Sequence, residues 1–213
     1  MRNYSKILII LALILVAFIT FKFIETAPVA LNQGEDLNSN EQNNNGGGED
    51  GIFKNNEFSF KYKKDLIAND YNETSSWRTN TSLSGDFHVG ILIPRSIQPN
   101  TNFSDAKFTV GSSDNQAAIS ECLIPTNGER EKGETEINGT IFKKITLTEG
   151  AAGNYYDTTS YRAIKDGKCY AVEYTIHSMN LRNYPAEENI QEFNTPFIVE
   201  ILEDMARSFE FMK

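Results

Sequence analysis

Cys122, Cys169, His88 and His177 are the only cysteines and histidines in this chain, and no other residue types offer so wide a chemistry. A cysteine and a histidine together can be a nucleophile and its base, or two ligands of a metal. Two cysteines can instead be a covalent staple. Cys169 and His177 both lie in KCYAVEYTIH, whose alternation reads as a β-strand with Tyr170, Val172, Tyr174 and Ile176 on the core face. The pair shares the other face, but at about 3.3 Å per residue a regular strand holds them roughly 26 Å apart. A thiolate needs its base within about 3 Å. The strand therefore excludes a Cys169–His177 dyad, and it equally excludes two ligands of one zinc.

The remaining constellations are sparse. Asp86 and His88 stand two apart on a predicted strand, and with His177 they make three candidate metal ligands. A hydrolase or metal site assembled around His88 and His177 is the alternative functional reading. GAAG, Gly150 to Gly153, lacks the Lys-Ser/Thr of a phosphate loop and reads as a bend. Ser120 and Ser160 sit in no GxSxG setting. No spacing of acids singles out a pair for glycoside chemistry. Asn72, Asn80, Asn102 and Asn138 head N-x-Ser/Thr sequences that matter only in a eukaryotic secretory route. Tyr155, Tyr156 and Tyr161 read first as ordinary sheet packing and second as a candidate partner surface, because tyrosine suits antiparallel sheets and is also large, stiff and polar at its tip. No catalytic residue, resident metal or cofactor is expected.

The elements that position these residues begin after an unusual head. Arg2 and Lys6 precede an apolar run from Ile7 to Phe21, with Lys22 and then Phe23 and Ile24 behind it. Small residues at the spacing of a signal-peptidase site fit poorly at Ala27 and Ala30, so residues 1–24 are read as an uncleaved transmembrane anchor rather than a cleaved signal. The basic amino end stays inside, and the rest is expected outside as the extracytoplasmic part of a single-pass cell-membrane protein. Residues 25–51 carry six of the 29 acids, no base and no aromatic residue, and read as a disordered Asn/Gly-rich linker. The domain proper is placed at 52–213.

The formal net charge is −9, which argues against nucleic acid as a partner. The expected partners are the membrane, through residues 7–24, and an envelope protein or small ligand. In an exported chain, two cysteines are most simply one disulfide, Cys122–Cys169. That bond would stabilise the fold by about 4 kcal/mol on the loop-entropy model.

Within the domain, alternation in EFSFKY and DFHVGILIP predicts strands, with a third around Ala106 to Val110. Asp114 is the expected cap of a short helix reaching Cys122. Asn138-Gly139 and Asp166-Gly167 each sit between strand-like runs and predict two hairpins. From Asn194 or Thr195, with Pro196 in the first turn, a helix is expected whose apolar stripe holds Phe197, Ile198, Ile201, Leu202, Met205 and Phe209. The fold class is therefore α+β: a mostly antiparallel sheet covered by a C-terminal helix and one or two short helices.

The order of elements adds a family likeness. Phe53 leads into FSFKY (Phe58–Tyr62), TNFSDA (Thr101–Ala106) leads into a strand, long hairpins follow, and the last helix runs into SFEF (Ser208–Phe211). This resembles the PsbP-like α/β/α sandwich of envelope and photosystem accessory proteins. The resemblance implies a non-catalytic binding or accessory role and transfers no site residue.

Overall fold

Residues 50–69 and 76–212 are described by a computed structural model of the chain. The predicted anchor, and the predicted linker up to residue 49, lie outside the described residues. Asp50 and Gly51, read from sequence as the end of the linker, are already paired in the first strand.

Two antiparallel sheets carry the fold. Strands β1 (Asp50–Lys54), β2 (Phe58–Lys63) and β10 (Glu210–Phe211) form a small sheet in the order β1-β2-β10. The large sheet contains β3 (Ile67–Asn69), β4 (Asp86–Pro94), β5 (Phe103–Ser113), β6 (Arg130–Ile137), β7 (Thr140–Ala151), β8 (Asn154–Lys165) and β9 (Lys168–Met179). Their order across it is β3-β4-β5-β9-β8-β7-β6. The long central strands alternate as period-two patterning requires. Val89, Ile91 and Ile93 of β4, Phe108 and Val110 of β5, and Val172 and Ile176 of β9 all sit in one core.

That core is closed by α2 (Thr195–Arg207) and by the small sheet. Asn194 caps α2, its side chain accepting from the Phe197 amide at 3.2 Å. Ile198, Leu202, Met205 and Ala206 are buried beneath the helix. Phe197, expected on the apolar stripe, lies in the first turn and is 42% exposed, at the edge of a groove it shares with Tyr62 and Ile201. Phe209 lies beyond the helix end and packs on Phe58, ring centroids 5.2 Å apart. Among the described residues no helix is long and apolar enough to cross a membrane.

The other face of the large sheet is covered by irregular chain around Trp77 and by α1 (Gln116–Glu121). The cap of α1 is Asn115 and not the expected Asp114. Strand β5 runs on to Ser113, so the helix starts one residue later and Asn115 accepts from the amides of Ala117 and Ala118. Trp77 needs a glycine beneath it: a Cβ on Gly111 would lie 2.1 Å from the Trp77 carbonyl oxygen. Cys122 and Cys169 are joined in this layer, their Cα atoms 5.7 Å apart.

The hairpins turn where expected. Asn138 and Gly139 both have positive φ, as do Asp166 and Gly167, which is the backbone that two-residue turns between twisted strands require. Ala152 and Gly153 turn β7 into β8 in the same way.

Candidate functional site

The two cysteine–histidine chemistries posed by the sequence are separated by the fold. On β9, Cys169 lies opposite Ser113 and Ile164, whereas His177 lies opposite Asp105 and Tyr156 at the far end. Both cysteines are buried and bonded to each other, so neither is a nucleophile.

His88 and His177 do not meet either. His88 Nε2 is 2.8 Å from Ser112 Oγ, while His177 Nδ1 is 3.1 Å from Asp105 Oδ2. Both partners belong to β5, seven residues and roughly 23 Å apart along the strand. The bulge between Phe87 and Val89 turns His88 toward Ser112, leaving Asp86 opposite that same serine in the ladder. Among the described residues, no three His, Cys, Asp or Glu side chains converge as metal ligands.

The Ser112–His88 contact resembles half of a hydrolytic triad and does not complete one. An orienting acid belongs on the histidine nitrogen away from the serine. Here Glu57 Oε2 approaches the same Nε2, at 3.9 Å, and Ser112 is 1% exposed. Glu57 also binds the Lys168 ammonium and accepts from the Tyr170 hydroxyl at 3.2 Å. These contacts fasten the β1–β2 turn to the large sheet.

Burial pushes the His88 pKa down, against the pull of Glu57 and Asp86. The unfolded chain therefore takes a proton at this position before the folded one does, and stability falls as pH drops below the unfolded value of about 6.5. The thermal midpoint should drop more between about pH 7.5 and about pH 5.5 in the native protein than in a His88→Gln variant. Identical pH slopes would rule the effect out.

The three candidate tyrosines part company. Tyr161 is 3% exposed, and its hydroxyl donates to both oxygens of Glu203 at 2.7 and 2.8 Å. It belongs to the core side beneath α2, as sheet packing, which removes it from the candidate partner surface. Tyr174 and Lys144 also donate to Glu203, at 2.7 and 2.9 Å. Burial alone would raise the Glu203 pKa; these hydrogen bonds outweigh it and hold the carboxyl below its ordinary value. Tyr155 and Tyr156 are exposed but, as strand neighbours, point to opposite faces of the sheet. Tyr156 stacks on His177 at 4.5 Å, and His177 Nε2 meets Asn154 Oδ1 at 2.8 Å.

Tyr155 opens onto a cleft of about 510 Å³. One wall is the surface of β8 and β9, with Tyr155, Asp157, Tyr174 and Ile176. The other is the chain from Leu181 to Val199, with Glu192 and Phe193. Asn102 ties the walls together: its side-chain amide donates to the Met179 carbonyl at 2.7 Å, and its side-chain oxygen accepts from the Phe193 amide at 3.0 Å. The Tyr155 hydroxyl accepts from Asn180 at 3.0 Å, which fixes the ring at the rim. Its walls mix aromatic and apolar side chains with about as many polar ones, and a volume in this range can admit a small organic ligand that carries both kinds of surface. A smaller groove of about 260 Å³ lies between β2 and α2. Its charges have both signs, and Lys63 and Asp50 already pair across it at 2.7 Å.

The opposite face of the sheet buries four charges that no sequence pattern announced. Arg162, 1% exposed, donates from both terminal nitrogens to the Glu129 carboxylate and from Nε to Ser160 Oγ at 2.9 Å. Glu129 also accepts from the Thr126 amide and hydroxyl at 2.7 and 3.0 Å. Burial would raise the Glu129 pKa, but Arg162 and Thr126 together bring it below the ordinary value. Glu173 accepts from the Thr79 amide at 2.7 Å, and its other oxygen is 3.9 Å from Arg162. Arg78 lies over the Trp77 ring at 5.2 Å, with its pKa lowered by burial and by Arg162. Among the described residues Arg78 Nε and Nη1 and Glu173 Oε1 have no hydrogen-bond partner. A cavity of about 230 Å³ beside Glu173 and Thr79 has room for water to serve the unpaired carboxylate oxygen. This cluster clamps two loops onto the sheet.

The chain matches no family model and no curated protein. Among solved structures it is similar to a crystal structure from Bacteroides thetaiotaomicron VPI-5482, with 12% identity and a TM-score of 0.38 over 73% of this chain. The match takes in 45% of that protein, so this chain spans under half its length. It is also similar to the solution structure of cyanobacterial PsbP (CyanoP) from Synechocystis sp. PCC 6803, with 9% identity and a TM-score of 0.38 over 81% of this chain and 98% of that one. The α+β arrangement thus bears a weak PsbP-like resemblance.

Proposed function

We propose that this chain is a membrane-tethered, extracytoplasmic binding domain that acts by holding a small ligand in the Asn102-braced cleft, without catalysis. The cleft carries the reading: it is open, walled by aromatic, aliphatic and polar side chains together, and bridged by hydrogen bonds that set its width. The tether and outward placement rest on the apolar run Ile7 to Phe21 behind Arg2 and Lys6, and on the Cys122–Cys169 bond, which suits an oxidising compartment. The alternative, a hydrolase or metal site around His88 and His177, lacks a shared geometry.

Native mass spectrometry of the full chain, extracted from its own membrane in mild detergent, tests the reading. A bound mass of a few hundred daltons is expected on the native protein. It should be missing from a Thr148→Trp variant, which puts an indole into the cleft from an exposed position. Bare protein in both preparations, or an adduct indifferent to the substitution, would refute the assignment.

A further inference from the structure

This inference rests on the cleft being the ligand site and names the class of ligand. We infer that the cleft selects organic cations, an ammonium or guanidinium group carried on an apolar body.

The charges that line it have one sign. Asp157 stands on the β8 wall and Glu192 on the opposing wall, and no lysine, arginine or histidine lines the space between. Lys144, on the same face of the sheet, is outside the lining and already engaged by Glu203 at 2.9 Å. Arg182, beside the lining residue Leu181, is exposed and is not part of the wall.

The rings reinforce the sign. The Tyr174 hydroxyl is turned away to Glu203, and the Tyr155 hydroxyl is held by Asn180. Tyr155 therefore offers the cleft its exposed ring, the electron-rich part that attracts cations, while the buried Tyr174 adds only the edge of its own. Phe193, packed on Phe103 with ring centroids 5.6 Å apart, adds a third aromatic ring. An anionic ligand would meet two carboxylates with no compensating base. A neutral one would gain the apolar contact alone. A cation with an apolar body uses both.

Three probes of one shape separate these cases: 3-phenylpropylamine, 3-phenylpropan-1-ol and 3-phenylpropanoate. Each is titrated by ligand-observed NMR against the full chain in zwitterionic nanodiscs near neutral pH, with empty nanodiscs as the blank. The amine should bind about fivefold more tightly than the alcohol, the sum of two partly exposed charge pairs, and the carboxylate should not bind measurably. Asp157→Asn with Glu192→Gln should bring the amine down to the affinity of the alcohol and leave the alcohol unchanged. Equal binding of amine and alcohol to the native protein, with both expelled by Thr148→Trp, would overturn the cation preference and leave the cleft as the site. Preference for the carboxylate would do the same. Binding that Thr148→Trp leaves untouched, or none at all, would remove the cleft reading itself.

Discussion

Replacing Arg162 with methionine should destabilise the domain by about 3–5 kcal/mol, the cost of stranding buried charge. The side chain is 1% exposed and is the one cation bonded to Glu129, itself 2% exposed. It also lies 3.9 Å from the Glu173 oxygen that has no hydrogen-bond partner. Methionine fills much of the volume but leaves both carboxylates in a medium that penalises their charge.

The pH dependence should also change sign at this position. In the native protein Glu129 has a lowered pKa, so its contribution is present above the unfolded carboxylate value and is lost as pH falls through the folded one. Without Arg162, burial dominates and the folded pKa of Glu129 lies above the unfolded value. The variant then loses stability as pH rises and recovers part of it on acidification. Urea unfolding at about pH 5 and about pH 7.5 reads both effects. A loss under about 1 kcal/mol with an unchanged pH slope would show that water, not Arg162, supports these acids. Glu129→Gln added to Arg162→Met should restore part of the loss, because a neutral amide costs less to bury than an unpaired charge.

Such a cluster could not be read from the chain, whereas the strands around it could. Turns announce themselves locally. Asn138-Gly139 and Asp166-Gly167 needed only the adjacent alternation to be placed, and the backbone confirms positive φ at all four residues. The cysteine pairing was equally accessible, because two cysteines allow one pairing. Arg78, Glu129, Arg162 and Glu173 come from two loops and two strands, and each alone looks like an ordinary polar position. Only the register of β8 against β9, which sets Ser160 opposite Glu173 and Arg162 opposite Ala171, puts Arg162 and Glu173 on one face.

The cleft was half legible for the same reason. Tyr155 stood out by composition, but its partners Glu192 and Phe193 arrive on a segment bound through Asn102. In the sequence Asn102 read only as a glycosylation-like motif. Tyr161 is separated from Tyr155 by what covers the sheet, not by strand parity. It shares the face of Tyr155, yet six residues further along β8 that face lies under α2, where Glu203 takes its hydroxyl. The anchor and linker readings rest on sequence alone.

Changing both Cys122 and Cys169 to alanine should cost about 4 kcal/mol, from the loop entropy of a cross-link spanning 47 residues. Alanine is the appropriate substitute, since the sulfurs sit among Trp77, Ala118 and Ala171, where a serine hydroxyl would need a partner. On this account the loss arises in the unfolded chain, which the bond no longer restrains, so the folded spectrum should change little. It should also be the same at about pH 5 and about pH 7.5, since no titrating group is removed. The disulfide and the Arg162–Glu129 pair hold neighbouring ends of one segment, residues 122–129, against the same sheet face. They are nevertheless told apart by their pH signatures, flat for one and sloped for the other. Two freely alkylated thiols in protein recovered from outside the membrane, or a double alanine variant as stable as its parent, would show that the bond is not what holds this layer. The packing of Trp77 over Gly111 and Ala171, with the Arg162–Glu129 pair, would then have to hold it.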